Sequence, residues 1–347
     1  MQGGFCPYFG NCGGCSCQHI PYQEQAAKKS SLLVTRMEAA LAAAHPPSPS
    51  SPGVPPLEIV PCPSPIEYRN RVELHRLPSN PPARRVKKLN LQQAAAPRAA
   101  VRAGFMAKKS GLVVPVTDCP VAVPEIRAAL QQGILTPPPD RDRWTVYGKD
   151  SLLLTEGGKS RGKIALLDKT LTVDAGVFFQ SNAVLLEKLI TDIVGLAHNA
   201  GGGLCWDLYC GTGVFAVFLQ DYFSSLLLME ANKTALSLAR QNLRPGCSTG
   251  FFALDDTAWA REMGKRARLE RPAFVCADPP REGLSPELRR FLIRARPRTL
   301  AYISCSPRAL QRDTEELVSG GFVLSRLSFY DFYPHTPHIE SLAVFVM

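Results

Sequence analysis

No apolar run in these 347 residues reaches the length needed to cross a bilayer. No charged start followed by an apolar stretch marks a secretory leader. A soluble cytoplasmic protein is therefore expected. Acidic residues are also short: 30 Asp and Glu face 40 Lys and Arg, giving a net charge of +10 and a pI near 9.1. Two readings stay open for that excess, a solvated basic surface or a polyanionic partner such as nucleic acid. Internal repeats are absent. Cysteine, by contrast, is plentiful at 11 residues, and without a secretory leader these do not suggest a disulfide framework.

The cysteines are unevenly placed. Cys6, Cys12, Cys15 and Cys17 crowd the N-terminus, a pattern that fits a metal or cluster site. Cys205, Cys210 and Cys276 lie in apolar, strand-like contexts and read as core residues. Cys62 and Cys247 carry no local signal.

Hydrophobic residues make up 45% of the chain, enough for two modest cores. Residues 26–44 predict a helix with one apolar face. His45 to Pro56 reads as a Pro/Ser linker or exposed loop. Residues 57–76 and 99–118 alternate apolar and polar as half-buried strands do. Between and within them Arg84, Arg85, Lys87, Lys88, Arg98, Arg102, Lys108 and Lys109 form a basic run, either a solvated loop or a phosphate contact. Residues 125–175 predict a helix and short strands, broken at Pro137–Pro139. From about residue 183 helix and strand patterns alternate, which predicts a parallel, doubly wound sheet.

Leu204 to Leu208 predicts a strand running into Cys210-Gly211-Thr212-Gly213 and an apolar helix. Glycine at such a turn lets a ligand approach the backbone near a helix N-terminus. The next apolar strand ends in Glu230, 23 residues after Asp207. An acid there can bond both hydroxyls of a ribose; the alternative is an ordinary acid near a helix start. No phosphate-binding Lys follows the turn, which argues against a P-loop, and the third glycine of a dinucleotide fingerprint is missing. A nucleoside ligand without pyrophosphate fits better, and S-adenosylmethionine is the commonest.

Two later strands end in chemistry. Ala273 to Ala277 leads into Asp278-Pro279-Pro280-Arg281, whose prolines stiffen a turn holding Asp278 at the carboxyl edge of the sheet. Thr299 to Ser304 leads into Cys305-Ser306-Pro307, which sets a cysteine at that same edge. It reads as a nucleophile or as a buried structural thiol. Candidate bases lie within Asp331 to Glu340. Glu340 precedes a last apolar strand, and His335 and His338 read as positioning or surface residues rather than metal ligands.

These segments together resemble the RNA uracil-5-methyltransferase family, particularly its iron-sulfur 23S ribosomal-RNA branch. The resemblance covers most of the chain. Its matching segments are Tyr68–Arg71, Gly104-Phe105, Asp118–Pro120, Phe178–Asn182, Asp207–Gly213, Asp278–Gly283, Tyr302–Pro307 and Pro334–Glu340. It implies an α/β fold: a Rossmann-like class I methyltransferase domain, preceded by a smaller cysteine-rich α+β iron-sulfur domain. The expected division is an iron-sulfur, RNA-contacting region over 1–125, a shortened central β region over 126–175 and the methyltransferase domain over 176–347.

By resemblance, Gln180, Tyr209, Glu230 and Asp278 contact S-adenosylmethionine, Cys305 is the nucleophile and Glu340 the proton acceptor. Cys6, Cys12, Cys15 and Cys119 are implied as ligands of a [4Fe-4S] cluster, with a four-cysteine zinc site as the competing assignment. Cys17 is extra. The implied partner is RNA, ribosomal first and transfer RNA second, with no membrane and a monomeric state. The chemistry suits the residues. Uracil carbon 5 is too weakly nucleophilic to take a methyl group directly. A thiolate adding at carbon 6 turns the ring into an enolate that can, and a base must then remove the carbon 5 proton.

Three departures stand out. Ser306 follows the cysteine where the family has Asn, Leu228-Met229 precede Glu230 where it has Gly-Val or Gly-Ile, and the interval from Cys119 to Phe178 is short. No separate N-terminal oligonucleotide-binding barrel is expected. Cytosine-5 methylation would require a second cysteine after Pro280, where Arg281 stands. Adenine amino methylation would call for an aromatic there. The cysteine spacing is not that of a radical S-adenosylmethionine enzyme. A noncatalytic RNA-binding iron-sulfur protein would not need the intact Cys305 and Glu340.

Overall fold

Leu204–Leu208, Phe274–Ala277 and Thr299–Ser304 are apolar on nearly every position and buried almost throughout, as strands covered by helices on both faces must be. They form the middle of the larger sheet in a computed structural model describing residues 4–44, 53–78, 103–108, 111–266 and 270–347. The basic residues Arg84, Arg85, Lys87, Lys88, Arg98, Arg102 and Lys109 lie outside the described residues.

The helices in chain order are α1 (Tyr22–Ala44), α2 (Pro124–Gln132), α3 (Ala183–Ala200), α4 (Ala216–Leu219), α5 (Lys233–Asn242), α6 (Asp256–Gly264), α7 (Pro286–Ala295) and α8 (Pro307–Ser319). The strands are β1 (Leu57–Val60), β2 (Arg71–Arg76), β3 (Ala103–Met106), β4 (Val113–Pro115), β5 (Arg143–Lys149), β6 (Leu152–Thr155), β7 (Arg161–Leu166), β8 (Lys169–Asp174), β9 (Leu204–Leu208), β10 (Ser225–Met229), β11 (Thr249–Phe252), β12 (Phe274–Ala277), β13 (Thr299–Ser304), β14 (Val323–Tyr330) and β15 (Glu340–Val346).

Eight strands form the larger sheet in the order β1-β14-β15-β13-β12-β9-β10-β11. All neighbours are parallel except that β15 runs antiparallel between β13 and β14. Residues before 125 contribute to both sheets. β1 pairs with β14 and α1 packs along α8, so both belong to the large-sheet body. β2, β3 and β4 instead join β5 and β6 in a five-stranded antiparallel sheet ordered β4-β3-β2-β5-β6. β7 and β8 form a separate hairpin.

The large sheet packs its helices through aromatic side chains. Trp206 meets Trp259 edge-on at 5.0 Å and stacks on Phe291 at 5.6 Å, joining β9, α6 and α7. Cys205, Cys210 and Cys276 are buried core residues, as their apolar neighbours indicated.

The turn after β12 is held from outside the sheet. Fully buried Asp313 on α8 accepts from Tyr302 Oη at 2.7 Å, Leu284 N at 2.9 Å, Arg289 Nη1 at 3.0 Å and Arg312 Nη2 at 2.7 Å. Gly283 sits at φ +76°, and a Cβ there would lie 2.5 Å from Asp313 Oδ2, so only glycine closes this turn. Asp313→Ala would leave Arg289 with Glu316 as its remaining acidic partner and would strip Tyr302 Oη and Leu284 N of their buried acceptor. A stability loss of about 1–3 kcal/mol for each stranded group is expected, read from the denaturant midpoint.

Candidate active site

Parallel strands end together, so their carboxyl edge collects whatever follows each of them. After β9 comes Tyr209 at φ +62°, then the turn through Gly211 and Gly213. Gly213 sits at φ +80° with the space for a Cβ already filled by Ala239, 3.0 Å away. Buried Asp207 on β9 accepts from Ala216 N at 3.1 Å, tying the strand to the first residue of α4. The apolar run expected as a full helix here is helical only over Ala216–Leu219, because the glycine turn takes up the chain as far as Phe215.

After β10 comes Glu230. Its carboxylate accepts from Gly211 N at 3.1 Å and Asn232 N at 2.7 Å, so it braces the glycine turn. A carboxylate has about four acceptor positions, which leaves capacity for ribose hydroxyls. After β12 comes half-buried Asp278, which accepts from Gln180 Nε2 at 3.2 Å. Gln180 Oε1 is buried with no partner, a polar atom aimed at unfilled hydrogen-bonding need. Gln180, Glu230 and Asp278 thus stand on one edge around the turn.

Tyr209 follows β9 directly, at the same edge. Its hydroxyl donates to Asp256 Oδ2 at 2.6 Å, and Asp256 also accepts from Ser285 N at 2.8 Å. Tyr209 and Asp256 line a cavity of about 480 Å³ with Pro280 and Arg312. Asp256 was missed by sequence reasoning. The available signal was an acid just past β11, the strand after the one that ends in Glu230.

The reactive pair comes from the antiparallel insertion. β13 and β15 pair Ser304 with Ser341, and the register continued by one residue sets Cys305 opposite Glu340. Glu340 is buried and also pairs with Tyr330 of β14. Cys305 is half-buried. Burial pushes its thiol up to about 11, helped by the charges of Glu340 and Asp278 and opposed by Arg281. Burial, then Asp278, lifts Glu340 well above the usual carboxylate range, while Arg281 pulls it down. Burial likewise raises Asp278 to about 7, against the bond from Gln180. Three carboxyl groups, Asp207, Glu230 and Asp278, lie close enough that the latter two help to raise Asp207, after burial.

The sign of the Cys305 shift is testable. The neutral thiol dominates until the pH nears 11, so alkylation of the ligand-free protein should climb toward about pH 11 rather than level off near 9. Glu340→Gln removes a negative neighbour and should move the midpoint down. Iodoacetamide labelling of the Cys305 peptide, followed by mass spectrometry, measures both.

Further residues surround the pair, and of these Tyr333 was missed by sequence reasoning. Tyr333 packs beside Ser181, with 3.5 Å between hydroxyl oxygens, and against the ring of His338 at 5.8 Å. His338 Nδ1 lies 3.4 Å from Arg281 Nη2. His335 is buried rather than on the surface, with Nδ1 3.2 Å from Gln25 Nε2.

The four expected cluster ligands do come together, but not as a ligand set. Cys6, Cys12, Cys15 and Cys119 line one cavity of about 480 Å³ with Arg69 and Phe105. Burial first, then neighbouring negative charge, raises the thiols of Cys6, Cys12 and Cys119, bringing Cys12 to about 11 and Cys119 to about 12. Cys15 is raised by burial, and next by Cys17. Among the described residues, no group of three or more His, Cys, Asp or Glu is placed to hold a metal ion. The thiols come from two parts of the chain, the N-terminal loop and the segment after β4, and share the lining of this one cavity.

The pattern of the family described as tRNA (Uracil-5-)-methyltransferase matches residues 163–249 and 265–346. Those spans hold Gln180, Tyr209, Glu230, Asp278, Cys305 and Glu340 and none of the four N-terminal-loop cysteines or Cys119. An uncharacterized RNA methyltransferase of Treponema denticola is 32% identical over 252 residues, 68% of this chain and 61% of that protein. The 23S rRNA (uracil(747)-C(5))-methyltransferase RlmC of a Shewanella species is 30% identical over 201 residues, 57% of this chain and 50% of that protein. The chain thus spans about half to three-fifths of the length of these two relatives. The crystal structure of Pyrococcus abyssi tRNA (uracil-54, C5)-methyltransferase with S-adenosyl-L-homocysteine superposes with a TM-score of 0.69 at 21% identity, over 96% of this chain and 86% of that one. At that identity the likeness speaks for the fold.

Proposed function

From the premise that this chain belongs to the tRNA (uracil-5-)-methyltransferase family, we propose that it methylates carbon 5 of a uridine in RNA. The observation that carries the reading is Cys305 set opposite Glu340 across β13 and β15, on the edge that also bears Asp278 and Glu230. S-adenosylmethionine supplies an electrophilic methyl group on a cationic sulfur. The edge suits it: Glu230 for the ribose, Gln180 and Asp278 beside it, and neighbouring carboxyl groups whose mutual repulsion a cation relieves.

The Cys305 thiolate adds to uracil carbon 6, and the ring electrons move toward carbon 5 as an enolate. Carbon 5 takes the methyl group, and S-adenosylhomocysteine departs. Glu340 accepts the carbon 5 proton, the carbon 5–carbon 6 double bond re-forms, and Cys305 leaves as thiolate. Burial raises the basicity of the Glu340 carboxylate once ionised, which suits this role. Cys305 faces the opposite demand, since it must lose its proton although two acids oppose that loss. Arg281 is the cation on hand that favours its thiolate.

The substrate is proposed to be 23S ribosomal RNA, as in the name of the Shewanella relative. Purified protein, labelled S-adenosylmethionine and separated ribosomal and transfer RNA test both levels. Label in 5-methyluridine supports the chemistry, and its distribution between the two RNAs decides the substrate. Label in 5-methylcytidine or N6-methyladenosine alone overturns the chemistry.

Cys6, Cys12, Cys15 and Cys119 are proposed to hold a [4Fe-4S] cluster. Their shared cavity supports this; their spacing does not present a ready metal site, and no methyl-transfer step runs through them. Anaerobically purified protein should carry visible charge-transfer absorbance, iron and acid-labile sulfide, all lost in Cys119→Ser. Colourless protein holding zinc would overturn the assignment in favour of zinc held by the same four thiolates.

A further inference from the structure

The segment between β14 and β15 carries Tyr333 and His338 and ends at the proposed base. Its backbone is held by side chains from three distant parts of the chain. Asn182, the N-cap of α3, donates to Phe332 O at 3.2 Å. Lys29 on α1 donates to Tyr333 O at 2.9 Å. Tyr68 donates to Pro334 O at 3.0 Å. Gln25, one turn before Lys29 on α1, accepts from His335 N at 2.8 Å, while the amides of Ser16 and Cys17 donate to His335 O at 2.9 and 3.0 Å.

Two features set α1 apart from packing alone. Lys29 is buried and pairs with fully buried Asp331 at 2.7 Å, across 302 positions of sequence. An ion pair removed from water costs desolvation that a hydrophobic pair would not, so it is weak evidence for stability and stronger evidence for a fixed geometry. Second, His335 has φ +63°. A side chain in that region is strained and persists only where its surroundings over-determine it. Here bonds on its amide, its carbonyl and its ring Nδ1 do so.

We propose that Gln25 and Lys29 are positioning residues. They clamp Asp331–His335 so that Tyr333 and His338 stay seated against Ser181 and Arg281 around the Cys305–Glu340 pair. The clamp rests on the methyl-transfer reading above and deepens it. Because Gln25 also donates to Cys17 O and Ile20 O, the cysteine-bearing N-terminal loop is anchored by the same side chain.

Lys29→Met alone strands the Asp331 charge and would unfold the site, so the test is Lys29→Met with Asp331→Asn, beside Gln25→Ala, which disturbs no charge. Expected is a kcat lower on the order of ten- to a hundredfold, with the KM for S-adenosylmethionine within about twofold of wild type, since Glu230 and the glycine turn are untouched. Amide exchange should rise over 331–340 while the central strands stay protected. Gln25→Ala folded, with wild-type kcat and wild-type exchange over 331–340, overturns the clamp; so does a fall in kcat matched by loss of protection throughout the sheet. Wild-type protein run in parallel separates the two levels. Its failure to methylate uridine defeats the methyl-transfer reading, whereas exchange in the variants still reports on the clamp.

Discussion

Cys305→Ala should abolish methylation of uridine, by at least about 10⁴-fold in turnover. The size of the loss follows from the substrate. Without addition at carbon 6, carbon 5 holds too little electron density to attack a methyl group, and neither serine flanking Cys305 supplies a second nucleophile. Ser304 Oγ is committed to the Ser306 backbone, bonding both its amide and its carbonyl at 3.2 Å, and Ser306 Oγ caps α8 through Ala309 N. Binding of S-adenosylmethionine should survive, because Glu230, Gln180 and the glycine turn do not bond to Cys305. Isothermal titration with S-adenosylhomocysteine beside a labelled-methyl assay measures both halves. Residual turnover within tenfold of wild type would remove the thiol from the mechanism.

Glu340→Gln should do something different from simple inactivation. Addition of Cys305 and methyl transfer precede the step that needs a base, so the variant should stall with methylated RNA bonded to the protein. Turnover should fall by about 10²–10⁴-fold, while a protein–RNA band resistant to denaturant accumulates and carries the methyl label. Glutamine retains the shape and cannot accept the proton. Removal of this carboxylate also makes the Cys305 thiolate easier to form, so the first step should not slow. An inactive variant with no adduct would move Glu340 from proton removal to some earlier role.

Much of this site is legible in the chain itself. A short apolar run followed at once by a polar residue marks a strand and its tip, and Glu230, Asp278 and Cys305 each follow such a run. Glycine at 211 and 213 marks the turn, because both positions have positive φ. Gln180 came only from resemblance; locally its segment reads as a strand end and helix cap, which Asn182 does provide. Asp256 offered only its place just past β11, and Lys29 and Gln25 gave no local sign. Their partners Tyr209, Asp331 and His335 lie 47, 302 and 310 positions away.

Local patterning determined the parallel α/β class, the strand tips and the residues at them, because burial of one face or both is written into adjacent residues. Tertiary structure alone decided that β15 enters antiparallel beside β13, and that insertion brings acid to thiol. It also decided that β1 and α1 join the large-sheet body and that four cysteines wall one cavity. Such pairings depend on which distant surfaces bury each other best, a comparison among whole folds that no single stretch of sequence contains.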